Sequence, residues 1–255
     1  MLSVVLATYN EEKNIDRCLK AVTGIADEVI VVDGSSTDKT AELAKRWGAR
    51  VISTTNKSNF HINKQMAMDE AKGELVLQMD ADEVVDQELK KFIAEVHSQI
   101  LQGNPPEEVA WYLKRKNFFL GSFLSKGGQY PDPVIRLYIN GKAKLPQKNV
   151  HEQMSVDGKV GKASGHLLHY PYPSFSSYMH KFNVYTSFEA ERLATEGLVL
   201  KSNDLWRYML IKPVSIFFSL YLRHKGFVDG MAGFAFALMS SLHPVFVYLK
   251  LKEIR

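Results

Sequence analysis

Cysteine is almost absent from this 255-residue chain: Cys18 stands alone. That excludes an intrachain disulfide and leaves burial inside a helix as its simplest role. Neither G-x-G-x-x-G nor G-x-x-x-x-G-K-[ST] occurs, which argues against dinucleotide and P-loop binding. No strong excess of charge is present either: 32 Lys and Arg against 28 Asp and Glu give a formal +4, so no nucleic-acid partner is called for. The opening Met1-Leu2-Ser3-Val4-Val5-Leu6 lacks a basic stretch and runs into a polar loop, so it reads as a first strand rather than a signal peptide. What remains is ordinary for a sizeable core, 45% hydrophobic and 24% charged. The length suits one large domain or one domain with an appendage.

The first hundred residues alternate strand and helix signals. Apolar runs at 4–7, 27–33, 50–53 and 75–79 are separated by helical segments ending near Val22, carrying Ala41 to Trp47, and spanning 62–71 and 86–100. Thr37 or Ser36 is the expected cap of the second helix. Near-continuous apolar strands separated by helices predict a mostly parallel sheet covered on both faces. In such sheets ligands bind beyond the carboxyl ends of the strands.

That rule brings distant residues to one edge. Strand one ends at Thr8-Tyr9-Asn10-Glu11, strand two at Asp33-Gly34-Ser35, and strand four at Asp80-Ala81-Asp82-Glu83. Two carboxylates two residues apart at the end of a buried strand are costly unless something positive sits between them. A hard divalent cation, taking oxygen ligands from protein, water and phosphate, suits that spacing. A lone D-x-D is more simply a solvated turn, with Asp82 or Asp86 capping the next helix. Asp33 can accept hydrogen bonds from a base or ribose, Tyr9 offers a face for stacking, and Lys64 a positive partner for phosphate. Taken together on one edge, these residues favour a nucleoside diphosphate held by a metal.

Leu6-Ala7-Thr8-Tyr9-Asn10-Glu11-Glu12, Val31-Val32-Asp33-Gly34-Ser35-Ser36-Thr37-Asp38 and Met79-Asp80-Ala81-Asp82-Glu83 resemble, in order and spacing, the signatures of family 2 glycosyltransferases. The resemblance implies an α/β GT-A fold, Rossmann-like, with a mostly parallel central sheet flanked by helices. It implies a nucleotide pocket lined by Ala7, Thr8, Tyr9, Glu11, Asp33, Lys64, Asp80 and Ala81, most often for uridine. Asp82 would be the more direct ligand of Mg²⁺ or Mn²⁺, with Asp80 facing the ribose or metal. Further on, Arg115-Lys116-Asn117-Phe118, Gly127-Gly128-Gln129-Tyr130-Pro131-Asp132, Arg136-Leu137-Tyr138 and Val150-His151-Glu152 look like the subgroup that adds sugars to bacterial lipopolysaccharide core and related envelope glycans. With them the resemblance covers nearly the whole chain.

An inverting transfer needs a base for the acceptor hydroxyl. By the resemblance Glu152 is that base, with Arg136, Tyr130, Asp132 and His151 on the acceptor or phosphate. His169, and less so His166, would complete the metal shell, although a lone His beside apolar residues is more often a satisfied core side chain. The Gln-x-x-Arg-Trp pattern of processive synthases is absent, so a single sugar is transferred from a nucleotide-sugar to a lipopolysaccharide-core, envelope-glycan or lipid-linked acceptor. The competing readings are a nucleotide-sugar-binding regulatory protein without transfer and a nucleotidyltransferase, for which the loop at Thr8-Tyr9-Asn10-Glu11 has the wrong chemistry.

The expected division is 1–170 catalytic, with 1–100 for the nucleotide-sugar and 101–170 for the acceptor, and 171–255 a helical extension. Within the extension Tyr178, Phe182, Tyr185 and Phe188 are expected along one side of a helix. Residues 230–249 hold no Asp, Glu, Lys or Arg, long enough for a span, but they include His243-Pro244 and paired serines. The flanking Arg207, Lys212, Arg223, Lys225, Lys250 and Lys252 favour helices on an anionic membrane surface or in a homo-oligomer interface. The expected location is cytoplasmic and peripheral, on the inner face of the cytoplasmic membrane.

Overall fold

The computed structural model describes residues 1–57, 59–146, 153–201 and 203–254. Along the chain run β1 (Leu2–Thr8), α1 (Ile15–Val22), β2 (Glu28–Asp33), α2 (Thr40–Arg46), β3 (Arg50–Ser53), α3 (Phe60–Asp69), β4 (Leu75–Met79), β5 (Glu83–Val85) and α4 (Gln87–Leu101). There follow β6 (Glu108–Phe119), β7 (Ser122–Phe123), β8 (Asp132–Ile139), β9 (Ala143–Lys144), β10 (Ser155–Val156) and β11 (Lys159–His169). The remainder is helical: α5 (Phe175–Thr195), α6 (Asp204–Trp206), α7 (Lys212–Phe218) and α8 (Gly230–Glu253). Two compact units result, Met1–Arg115 with Asp132–His169, and Lys116–Pro131 with Tyr170–Arg255. Residues 116–131 therefore group with the C-terminal helices.

Among the described residues the main sheet of the first unit has the order β3-β2-β1-β4-β8-β6-β11-β5. β1 pairs in parallel with β2 and β4, and β2 with β3. β8 adds antiparallel to β4, β6 antiparallel to β8, and β5 antiparallel to β11. The sequence alternation predicts the parallel half; the antiparallel half depends on pairings between distant segments. Leu2, Val4, Leu6, Leu75, Leu77 and Met79 pack into a core with α1 and α4, while Val5, Ile30, Val32 and Val76 pack with Ala67 and Met68 of α3. Adjacent residues of one strand thus enter different cores, as period-two geometry requires. Cys18 lies in the first of these cores, and burial pushes its thiol up.

Local capping differs in part from expectation. Asp86 caps α4 by accepting from Leu89 N at 2.8 Å, as expected. Neither Ser36 nor Thr37 caps α2: Asp38 Oδ1 accepts from Thr40 N at 3.0 Å instead. The Ser36 hydroxyl is taken by Asp33, at 2.6 Å, and Thr37 donates its N–H to Asn10 Oδ1, at 2.8 Å. Polar side chains at a strand end have several backbone suitors, and the loop rather than the helix wins these two.

The second unit has its own core of Phe119, Leu124, Tyr178, Phe182 and Ala232, and a smaller one of Ala190, Val247 and Leu251. On α5 the buried side is Tyr178, Phe182, Thr186 and Ala190. The four expected aromatics share one helix, but only Tyr178 and Phe182 are buried; Tyr185 and Phe188 are 59% and 55% exposed. Each four-residue step turns the buried row about 40° further round the axis, towards α8, whereas Tyr185 and Phe188 fall about 20° and 80° the other way from Tyr178. Asp229 ties the unit's 120–128 loop by accepting from Ser125 N, Ser125 Oγ and Lys126 N at 2.6 to 3.0 Å.

Gly165 sets how closely β11 approaches α4. It has φ +77°, and a Cβ there would lie 2.1 Å from Leu89 N and 2.7 Å from Asp86 Oδ1. Left-handed backbone costs an ordinary residue about 1–2 kcal/mol, and forced overpacking about 1–3 kcal/mol. Gly165→Ala is expected to lower unfolding free energy by about 3 kcal/mol in urea titration. Gly141→Ala, at φ +80° with nothing within 4 Å of the new Cβ, is expected to lose only about 1 kcal/mol. Equal losses would remove the packing role of Gly165.

Candidate active site

The parallel registers decide which side chains share an edge. Thr8 stands opposite Asp33, and Leu6 opposite Met79, so Thr8, Asp33 and Asp80 all emerge at the carboxyl ends of β1, β2 and β4. Asp33 is buried and accepts from Thr8 Oγ1 at 3.1 Å and from Ser36 Oγ at 2.6 Å on Oδ1, and from Ser36 N at 2.9 Å on Oδ2. It thereby holds the Gly34-Ser35-Ser36 turn. A carboxylate has about four acceptor positions, so among the described residues one remains on Oδ2. The loops after β1 and β2 are stitched together, Asn10 N donating to Ser36 Oγ at 2.9 Å and Glu11 N to Thr40 Oγ1 at 2.7 Å. Asn10 and Ser35 both adopt positive φ, 56° and 64°, a strained backbone that clusters at binding sites. Tyr9 is 45% exposed at this edge, and Ala7 half-buried beneath it.

Asp80 sits between two cations. Its Oδ1 lies 2.5 Å from Lys64 Nζ and its Oδ2 2.6 Å from Arg136 Nη2. Lys64 reaches it from α3, and Arg136 from β8. The β4–β8 register pairs Leu77 with Leu137, so Arg136 comes opposite Gln78, whose Oε1 accepts from Arg136 Nη1. Burial alone would raise the Asp80 pKa, but the Arg136 and Lys64 charges bring it far below the usual carboxylate range. Burial works against the Arg136 charge too, yet Asp80 and Glu83 hold it still more firmly protonated.

Glu83 and Arg115 stand in the quoted motifs without a role of their own, and both extend this network. Glu83 is fully buried; its Oε2 accepts from Asp80 N at 2.9 Å, and its Oε1 lies 3.2 Å from Arg136 Nη2 and 3.5 Å from Arg115 Nη1. Arg115 also donates to Asp132 from Nε at 2.9 Å and from Nη2 at 2.7 Å. Arg115 and Asp132 are direct cross-strand partners on β6 and β8, a signal visible in the sequence only once that register is known. The predicted neighbours Tyr130 and Asp132 part company, Tyr130 lying in the second unit with Lys116 Nζ 5.8 Å from its ring centroid.

Asp82 lies just before β5, and β5 pairs with the end of β11, His169 opposite Glu83. This pairing brings His169 Nε2 to 3.4 Å from Asp82 Oδ2, both side chains largely buried. Two ligands of one small octahedral cation, each about 2.1 Å from it, stand roughly 3 Å apart, so this pair suits joint ligation. Among the described residues no group of three or more His, Cys, Asp or Glu side chains is arranged to hold a metal. Two protein donors, completed by diphosphate and water, is a usual way to bind such an ion. His166, by contrast, faces away to Asp86 Oδ2 at 2.9 Å.

A cleft of about 340 Å³ opens beside Asp80, lined by His61, Lys64, Arg115, Asp132 and Arg136 and by Leu145 and Gln153. α3 holds its rim: Gln65 Oε1 accepts from Leu145 N at 2.7 Å, and His61 Nδ1 lies 2.9 Å from Pro146 O. His151 and Glu152 lie outside the described residues.

The profile of Glycosyl transferase family 2 matches residues 3–108, the stretch that carries Thr8, Asp33, Asp80 and Asp82. An uncharacterized glycosyltransferase of Rickettsia typhi is 30% identical over 262 residues, covering 99% of this chain and 87% of its own. The lipopolysaccharide core biosynthesis glycosyltransferase LpsC of Rhizobium meliloti is 27% identical over 260 residues, covering 94% of this chain and 90% of its own. Among solved structures, the mannosyltransferase PcManGT of Pyrobaculum calidifontis, in complex with GDP-Man and Mn²⁺, superposes with a TM-score of 0.53 at 13% identity, covering 100% of this chain and 87% of that one. That likeness identifies the GT-A architecture, a mixed sheet flanked by helices with C-terminal helices added. The chain belongs to glycosyltransferase family 2.

Proposed function

We propose that this protein is an inverting, metal-assisted glycosyltransferase that moves one sugar from a nucleotide-sugar, in the first instance a UDP-sugar, to a lipopolysaccharide-core, envelope-glycan or lipid-linked hydroxyl. The observation that carries the reading is the 3.4 Å approach of Asp82 and His169, on the sheet edge that also carries Thr8, Tyr9 and Asp33. The match to LpsC supports the acceptor class. A regulatory binder without transfer lacks any observation that favours it.

Each residue has a separate task. The free acceptor position on Asp33 Oδ2 suits an imide N–H of uracil, and Tyr9 can cover the base. Asp82 and His169, the latter as neutral imidazole, would hold Mg²⁺ or Mn²⁺. Bound there, the cation would neutralise charge on the departing diphosphate. Asp80, with both oxygens engaged, keeps Lys64 and Arg136 in place at the mouth of the cleft. Its charge is kept by its neighbours, so Lys64 and Arg136 present a fixed arrangement to the anionic donor.

In the transfer the acceptor oxygen attacks the anomeric carbon as the bond to the β-phosphate oxygen breaks. The electron pair leaves with the nucleoside diphosphate, and the hydroxyl proton passes to a carboxylate. Among the described residues, the carboxylates of this edge are engaged: Glu11 by the Asn14 amide, Asp33 by hydroxyls, Asp80 and Glu83 by cations, Asp132 by Arg115, Asp82 by His169. The chain therefore has reason to supply the base from elsewhere, and Gln153, the residue after Glu152, lines the cleft. That supports Glu152 as the base.

Three measurements bear on this reading. In calorimetry against a panel of UDP- and GDP-sugars, Mn²⁺ is expected to tighten donor binding, and Asp82→Asn or His169→Ala to weaken the metal-dependent part by roughly tenfold or more; binding indifferent to metal and to both changes overturns the site. Glu152→Gln is expected to lower kcat by about 10²–10⁴-fold with donor affinity kept; unimpaired turnover removes Glu152 from the role. The third is pH-linked. The folded-state pKa of Asp80 is depressed from an ordinary 3.8, so its stabilisation is complete above that value and drains away as pH falls below it. The stability gap between the wild type and Asp80→Asn, read by urea titration, is expected to be constant near neutrality and to shrink by about 1.4 kcal/mol per pH unit below pH 4. A gap that does not close in acid refutes the ion-pair account.

A further inference from the structure

The second unit exposes more apolar surface than a helical unit needs for its own packing. From Asp204 to Arg223 the chain is continuously helical, through α6, a π-helical turn at Arg207–Ile211, α7 and a second π turn at Ser219–Arg223. Trp206, Leu210, Val214, Phe218 and Leu222 recur every fourth residue, and each is between 46 and 65% exposed. In a pure α-helix every fourth residue falls about 40° further round the axis. A π turn, closed by an i→i+5 bond, holds more residues per turn and brings the row back. The two π turns thus keep five large apolar side chains in one outward row. Pro213, which cannot donate to the preceding turn, lies two residues past the end of the first of them.

The charge on this segment has one sign. Between Leu205 and Val228 there is no Asp or Glu, but Arg207, Lys212, Arg223 and Lys225 are present. Arg207, Arg223 and Lys225 are exposed, and Lys212 lies over the Tyr208 ring at 3.6 Å. An outward apolar row on a segment whose charged residues between Leu205 and Val228 are all basic complements a surface that is apolar beneath and negative on top. A second copy of the same segment would oppose like charges. The longer helix, Gly226–Glu253, is apolar enough to cross a membrane, but Ala232, Gly233, Ala237, Ser241 and Val247 are buried on it, packed by α5 and α7. That helix serves as the scaffold against which the outward segment is braced.

We infer that residues 205–228 form an interfacial docking face for an anionic phospholipid bilayer, the apolar row entering the headgroup boundary and the basic residues meeting the lipid phosphates. The face acts by partitioning and needs no transfer chemistry, so it is tested apart from the active site. Full-length protein is to be sedimented with vesicles of phosphatidylcholine alone, or of phosphatidylcholine with phosphatidylglycerol, at low and high salt. Binding to the mixed vesicles, weakened by salt and roughly fivefold for each basic residue neutralised in Arg207→Ser and Arg223→Ser, is expected. Leu210→Glu with Phe218→Glu is expected to reduce it tenfold or more, with the melting temperature checked; the Ser variants provide the readout should that pair misfold. Equal binding to neutral vesicles, no binding to either, or attachment that only detergent reverses each overturns the inference. So does a dimer in analytical ultracentrifugation that Leu210→Glu dissolves while vesicle binding is unchanged, since the row would then belong to a second copy.

Discussion

The first unit depends on how it accommodates Asp80. The strand before it, Leu75 to Met79, is fully buried, and each large side chain there contributes roughly 1.5–3 kcal/mol. Ending such a strand in a carboxylate is tolerable only because Lys64 and Arg136 both reach it, and Arg136 in turn needs Glu83 and Gln78. The chain continues through Arg115 to Asp132. No member can be removed without stranding a neighbour, at a typical cost of about 3–5 kcal/mol for a broken buried pair. α3, β4, β5, β6 and β8 are therefore locked at one corner, and that corner is the wall of the cleft.

This arrangement separates the two acids of the D-x-D. Asp80 has its charge balanced within the fold and acts by holding cations still. Asp82, one step beyond the strand, lies 3.4 Å from His169 Nε2, and neither Lys64 nor Arg136 is paired with it as with Asp80. Preorganisation of this kind limits reorganisation when a charged ligand arrives. The stitched loops after β1 and β2, with their two positive-φ residues, extend it to the carboxyl ends of those strands.

The second unit meets different constraints. Its interior is aromatic, with Phe119, Tyr178 and Phe182 in contact through ring packing, whereas its 205–228 segment turns apolar side chains outward. A unit that buries one set of aromatics so thoroughly does not leave another exposed for want of room. The Asp229 clamp on Ser125 and Lys126 shows that the unit's loops are fastened with the same economy as the buried charges of the first.

The sequence by itself determined the strand–helix alternation, the common edge of Thr8, Asp33 and Asp80, and the family, because these rest on local periodicity and on short motifs at strand ends. It was also sufficient to name Lys64, Arg136 and His169 as candidates. What each does was decided only by tertiary structure: Arg136 serves Asp80 because antiparallel β8 brings it opposite Gln78, and His169 meets Asp82 because β11 pairs with β5. Glu83 and Arg115 were illegible for the same reason, since a lone Glu or Arg in a strand does not reveal its partner. Likewise the exposure of Tyr185 and Phe188 followed from which face of α5 met α8. Period and motif are written residue by residue, but antiparallel register between distant segments is set by the packing of the whole unit, and in this protein the charges of the site are distributed across that register.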